Sequence, residues 1–120
     1  MRLTETFTAE DFDAQKLVRT ARLAAMRFVN LNARHDEGFS LYDPRGLSDL
    51  DVTQTPCGRY LVQEFVEECH RQKIVPMLFH TTLDWNDARF ESEWDAYQRY
   101  LRDSVQLLCT KVGQIGGFLV

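Results

Sequence analysis

Four ionisable residues follow one another in the stretch NARHDEGFSLYD: Arg34, His35, Asp36 and Glu37. They come directly after the apolar run RFVNL, residues 27–31, and directly before Gly38 and Phe39. An imidazole can donate or accept a hydrogen bond, whereas ionised carboxylates only accept. His35, Asp36 and Glu37 could therefore form a polar floor for a hydroxyl-rich ligand. The same residues also describe a solvated loop whose carboxylate caps a helix, and their types leave both readings open. A second constellation, His80, Asp84 and Trp85, follows the run KIVPMLF, residues 73–79. An indole face packs on the C–H face of a sugar ring while a carboxylate takes its hydroxyls. The alternative is a loop anchored by a buried tryptophan.

A metal reading would pair His35 and His80 with Asp36 or Asp84. No HxH or HExxH spacing supports it, so neither a metal nor any other cofactor is expected. His70, in EECHRQ, sits in the last polar turn of an amphipathic segment, where a protonated imidazole favours a helix C-terminus. The glycines of GQIGGF precede an apolar run rather than a helix N-terminus, so the phosphate-loop mechanism does not apply.

The elements that must position these groups are legible from periodicity. Asp13 is a candidate N-cap for a helix reaching Ala25, with Leu17, Val18, Ala21 and Ala25 on one face. Residues 27–31 read as a strand, followed by a long loop rich in turn formers, among them Pro44, Gly46, Pro56 and Gly58. A second helix is expected over residues 59–71, with Leu61, Phe65 and Cys69 spaced by four beside Val62 and Val66. Residues 73–79 read as a strand, although Pro76 lacks a ladder donor and is awkward in a central strand. A third helix is expected from Ser92, capped by that serine, with Trp94, Tyr97, Leu101, Val105 and Leu108 as its stripe. Gly113 ends it, and IGGFLV closes the chain as a third strand.

Helix and strand thus alternate three times. Short apolar strands separated by helices of this length indicate a parallel sheet with right-handed crossovers. In such folds ligands bind at the carboxyl ends of the strands. The Arg34–Glu37 cluster and the His80–Trp85 segment both leave from that end.

Composition narrows the function classes. The 120 residues suit one small domain, and a 44% hydrophobic content is ordinary for a globular chain. A net charge of −4 without a Lys/Arg run argues against nucleic acid or an anionic membrane surface as partner. No apolar stretch approaches the roughly 20 residues of a membrane span, and MRLTETFTAEDFD lacks the apolar core of a secretory signal. Cys57, Cys69 and Cys109 are an odd number with no CxxC. Two of them fall on apolar helix stripes, which fits reduced core thiols and a cytoplasmic protein.

Three segments agree with one known family. ARHDEGFSLYD resembles the HHDGF segment of the retaining α-L-fucosidases, glycoside hydrolase family 29. MLFHTTLDW is similar to that family's strand running into Leu-Asp-Trp. LLCTKVGQIGGFLV is similar to its Tyr-Gly-x-Ile-Gly-Gly segment, and ETFTAEDFDAQKLVRTARLAAMRFV resembles the helix and strand that lead to the paired histidines. The resemblance covers nearly the whole chain, with its motifs in the family's order.

The resemblance implies a (β/α)8 TIM-barrel-like fold and a metal-free two-carboxylate hydrolysis of terminal α-L-fucosyl groups. It places His35 at the first histidine of the pair, Asp36 at the second, Glu37 at the following aspartate, and Phe79 at a sugar-contacting tyrosine. Asp36 can only accept where a histidine could donate, and Phe79 forgoes a hydroxyl worth roughly 0.5–1.5 kcal/mol. The family's nucleophile falls just after Val120, its acid/base further on, and its first barrel strand upstream.

The expected fold is therefore α/β: a partial (β/α)8 TIM-barrel-like segment of about three parallel strands alternating with helices. Residues 1–120 would form an incomplete catalytic barrel, from about the second to the fourth βα unit. No residue of the chain is expected to be the catalytic nucleophile or acid/base. His35, Asp36, Glu37, Phe79, His80 and Trp85 are the expected substrate-binding residues. The partner would be a fucosylated glycan or small fucoside, joined by the rest of the barrel or a second copy. The alternative is a non-catalytic fucose-binding or structural remnant; a metal-dependent barrel hydrolase using His35 and His80 is the weaker third reading.

Overall fold

The computed structural model describes residues 3–120. Along the chain run α1 (Ala14–Leu23), β1 (Phe28–Arg34), α2 (Leu61–Gln72), β2 (Val75–His80), the short α3 (Arg89–Ser92), α4 (Trp94–Lys111) and β3 (Gly117–Leu119). Single 3₁₀ turns lie at Leu3–Glu5 and Val52–Gln54. No described helix is long and apolar enough to cross a membrane.

Asp13 caps α1 as expected, its carboxylate accepting from the Lys16 N–H at 3.0 Å. The helix stops at Leu23 rather than Ala25. Ala25 turns left-handed, with φ of 60°, and the Met26 N–H reaches back to the Ala21 carbonyl at 3.0 Å, a Schellman closure. The buried face is Ala14, Val18 and Ala21, and Leu17 is 41% exposed, against the expected stripe. α2 closes in the same way, on a left-handed Lys73, with the Ile74 N–H on the Cys69 carbonyl at 2.9 Å. The expected serine cap is displaced: Ser92 ends α3, and α4 starts at Trp94 behind Glu93 with no side-chain cap. The Ser92 hydroxyl instead bonds back to the Ala88 carbonyl at 2.8 Å.

The three strands form one parallel sheet in the order β1-β2-β3. β1 runs three residues further than RFVNL suggested, pairing Phe28 with Val75 and continuing to Arg34 opposite His80. The register shifts between Asn32 and Arg34. This local irregularity turns Ala33 and Arg34, consecutive in sequence, both inward.

Pro76 does lie in the central strand. Parallel ladders alternate, so residues of β2 bond to β1 and β3 in turn. The Val75 N–H bonds β1 at Arg27, and the Pro76 carbonyl accepts from Gly116 on the β3 side at 2.8 Å. The missing Pro76 N–H would therefore point toward β3, ahead of the first paired residues, Met77 and Gly117. The carbonyl it would have reached, that of Gln114, is held instead by His70 Nε2 at 2.6 Å. Gly116 allows this close approach, since a Cβ there would sit 2.4 Å from Val75 Cγ1.

A single core fills one face of the sheet. Val18 of α1, Val62, Phe65, Val66 and Cys69 of α2, and Leu108 of α4 pack with Ala33 and Leu78 of the strands. Along β2 the residues alternate, with Pro76, Leu78 and His80 buried and Val75, Met77 and Phe79 on the open side. Of the cysteines, only Cys69 is a core thiol: Cys57 lies half-buried in a loop, and Cys109 is exposed on α4. Burial lifts the Cys69 thiol pKa to about 11, so it is inert at neutral pH.

Candidate functional site

β1 and β2 are parallel neighbours, so the loops that follow them leave from the same end of the sheet. Backbone bonds tie those loops together. The Thr81 N–H donates to the Arg34 carbonyl at 3.0 Å, and the Trp85 N–H to the Asp36 carbonyl at 2.9 Å. The Asn86 side-chain amide donates to the Glu37 carbonyl at 2.6 Å. The two expected constellations thus form one rim.

On that rim His35 and Phe79 lie ring on ring, with centroids 5.2 Å apart. His35 Nδ1 is 3.7 Å from Glu37 Oε2 and 4.0 Å from Asp36 Oδ1. Asp36 is oriented by Thr81, whose hydroxyl donates to Asp36 Oδ1 and accepts from the Leu83 N–H at 3.0 Å. Trp85 stands 75% exposed beside them. The result is an apolar ring platform with a half-exposed imidazole and two carboxylates around it. Such a set can pack a sugar's C–H face and bind its hydroxyls by donation and acceptance.

His80 faces the other way. It is 1% exposed and behind the sheet rather than on the rim. Its Nδ1 donates to the Thr81 carbonyl at 2.9 Å, leaving Nε2 to accept from the Tyr42 hydroxyl at 3.3 Å. Burial drives its pKa down to about 4, with the Arg34 charge adding to the effect, so the ring is neutral at pH 7. Its reach to the rim is indirect, through the Thr81 backbone. Tyr100, also buried, is pushed up to about 12 and stays protonated.

Arg34 is likewise not part of an open loop. It is 1% exposed, paired through Nη2 with the buried Asp84 carboxylate, and its guanidinium carbon lies 4.7 Å from the centre of the Tyr100 ring. Asp84 also accepts from the Asn86 and Asp87 N–H groups at 2.8 and 3.1 Å. Gly38 makes room for this pair: a Cβ there would lie 2.6 Å from Asp84 Oδ1, and its φ of +81° is one that glycine adopts without strain. Sequence reasoning missed this inward Arg34. The alternation of Val29, Leu31 and Ala33 runs on past the assumed strand end, but it would send Arg34 outward; the register shift turns it inward. Sequence reasoning also missed Thr81, a residue whose role is set by a partner 45 positions away.

Outside the ring pair lies a cleft of about 360 Å³, walled by Arg34 and Asp84, by residues 46–50 and by residues 86–89. Among the described residues, no set of three His, Cys, Asp or Glu side chains converges to hold a metal ion.

Fold and site together define a parallel α/β protein whose polar groups gather at the strand carboxyl ends. The family profile described as Alpha-L-fucosidase matches residues 1–111. The chain belongs to the α-L-fucosidase family. Solved structures share the fold. Alpha-L-fucosidase isoenzyme 1 from Paenibacillus thiaminolyticus superposes with a TM-score of 0.86 at 22% identity, over 96% of this chain and 32% of that one. AlfC from Lactobacillus casei, in complex with α-L-fucose product, gives 0.87 at 20% identity, over 98% of this chain and 46% of that one. An α-L-fucosidase from Bacteroides thetaiotaomicron gives 0.85 at 22% identity, over 97% and 28%. The chain thus spans less than half the length of these proteins. No curated protein sequence matches it.

Proposed function

We propose that this chain supplies the sugar-contacting wall of an α-L-fucosidase-type TIM barrel and binds a terminal α-L-fucosyl group at the His35–Phe79 rim. The observation that carries this reading is the meeting of His35, Asp36 and Phe79 at one end of the sheet. The Phe79 and Trp85 rings would meet the apolar edge of the deoxysugar. His35 would donate to a ring hydroxyl, and the free oxygen of Asp36 would accept from one. The solved relatives' chains are longer, so the rest of the catalytic unit would come from further polypeptide. The unbridged thiols of Cys57, Cys69 and Cys109 suit a reducing, cytoplasmic setting.

One observation favours the second reading, a fucose-binding protein without hydrolysis. Asp84 is committed to Arg34 and Asp36 to Thr81, which ties up two of the rim's carboxylates. Amide NMR titration with methyl α-L-fucoside tests both readings. Saturable shifts at His35–Gly38 and Phe79–Trp85, lost in His35→Ala, would support sugar binding at the rim. Shifts absent there would end both fucoside readings.

A further inference from the structure

The three strands run parallel, so their amino ends share one end of the sheet, opposite the rim. Residues 24–27, 73–74 and 112–116 feed them from α1, α2 and α4. We propose that this basal end is an interaction surface whose partner is a second copy of the chain, seated by its carboxyl-end loops, so that copies stack base to rim.

The net charge of −4 is unevenly spread. None of the 18 aspartates and glutamates lies in residues 14–35, 69–83 or 104–120, which hold the three strands and the turns that feed them. At the base, Arg22, Arg27 and Lys73 are exposed, and none is in an ion pair among the described residues. Exposed apolar side chains stand with them: Leu23 at 72%, Met26 at 54%, Phe28 at 60% and Val75 at 46%. Phe28 and Val75 are register partners, and the Val75 N–H donates to the Arg27 carbonyl at 2.9 Å, so the two strand starts form one patch. Apolar side chains grouped in this way on a surface mark a site of contact.

The chain itself carries the counterpart. At the carboxyl end Glu37 and Asp49 are exposed. Glu91, Glu93 and Asp95, from α3 to the first turn of α4, are exposed and in no ion pair among the described residues. Three arginines of that end are already spent: Arg34 on Asp84, Arg59 on Glu64 and Arg89 on Asp87. Trp85 and Trp94 stand exposed there, and an indole face attracts a guanidinium such as that of Arg22 or Arg27. Pairing like ends would oppose like charges, whereas base on rim matches cations to carboxylates and apolar groups to indoles. The contact is therefore heterologous, and such contacts repeat along an axis unless a ring closes. Stacking of this kind needs no sugar on the rim.

Sedimentation velocity on the full chain is the test. At about 20 mM salt the weight-average mass should rise with concentration above that of one chain. At about 500 mM salt it should fall back toward one chain, because the shorter Debye length screens the contact. The double variants Arg22→Glu/Arg27→Glu at the base and Glu91→Lys/Glu93→Lys at the rim change exposed side chains only, and amide spectra should show the sheet intact. Each should weaken association roughly tenfold. An equimolar mixture of the two should associate again, since the reversed base of one then meets the reversed rim of the other. The salt response of the unaltered chain decides the matter even if a variant fails to fold. A single-chain mass at low salt, association that salt leaves unchanged, double variants that associate as the parent does, or folded variants that stay apart when mixed would each overturn the stack.

Discussion

His35 stacks on Phe79 with ring planes 28° apart, although His35 follows the end of β1 and Phe79 lies within β2. Phe79 lies opposite Asn32 in the register, three residues before His35 on β1. The phenyl ring is thus a shelf that fixes the plane of the imidazole. The stack holds the imidazole plane beside Asp36 and Glu37.

Replacing Phe79 separates the shelf from its chemistry. Phe79→Ala should weaken methyl α-L-fucoside binding, because His35 loses its platform. Phe79→Tyr keeps the ring and adds a hydroxyl, and should tighten binding roughly two- to tenfold. NMR titration of both variants checks this; a tyrosine variant that binds more weakly would place the sugar elsewhere.

The Arg34–Asp84 pair should be indispensable in halves and dispensable as a whole. Removing one partner from a buried pair leaves an uncompensated charge and costs about 3–5 kcal/mol. Arg34→Met or Asp84→Leu alone should therefore lower the urea midpoint sharply. The double variant should recover much of the loss. Equal loss in the double variant would mean that Asp84's bonds to Asn86 and Asp87, not the charge pair, hold the loop.

His80 should make stability fall on acidification. Its folded pKa is depressed to about 4 from an ordinary 6.5. Above about pH 6.5 the ring is neutral in both states. Between about 6.5 and 4 the unfolded chain takes up a proton that the folded chain refuses, so stability drops as pH falls through that window. The contribution is on the order of 3 kcal/mol. Denaturation across pH 4–7 should show this slope, and His80→Gln should flatten it.

The chain by itself should not turn over an aryl α-L-fucoside. Retaining hydrolysis needs two carboxyl groups about 5–5.5 Å apart, one attacking and one exchanging a proton. At this end of the sheet Asp84 is bound to Arg34 and two amides, and Asp36 to Thr81. Aryl release abolished by Glu37→Gln would show that Glu37 has found a second carboxylate and that the chain is catalytic.

Much of this architecture can be read directly from the periodicity. Four-residue spacing from Leu61 to Cys69 marked α2, and the alternation of short apolar runs with helices indicated the parallel order that was found. That order alone brought the two polar segments to one end. Inward and outward orientation was less legible. His80 and Phe79 are adjacent, and strand alternation sends one into the core and the other to the rim. Knowing which required the location of the core. Arg34 was hidden because a buried charge depends on a partner 50 positions away, and local pattern carries no trace of that distance. The cap of α4 failed for a similar reason: Ser92 found a carbonyl in its own short helix before it could serve the next one.

The proline in β2 has a consequence for the order in which the molecule assembles. One link between β3 and the rest is not a rung of the ladder but the His70 imidazole, which belongs to α2 and grips the Gln114 carbonyl where Pro76 has no hydrogen to offer. That clasp exists only once α2 is formed and seated against the sheet. β1 and β2 can zip together early, through consecutive partners from Phe28 to Asn32. β3, with three residues in its ladder, has too few rungs to wait alone. It should therefore be the last strand to dock and the first to leave, and its amides the earliest to exchange with solvent, on a schedule set by a helix side chain.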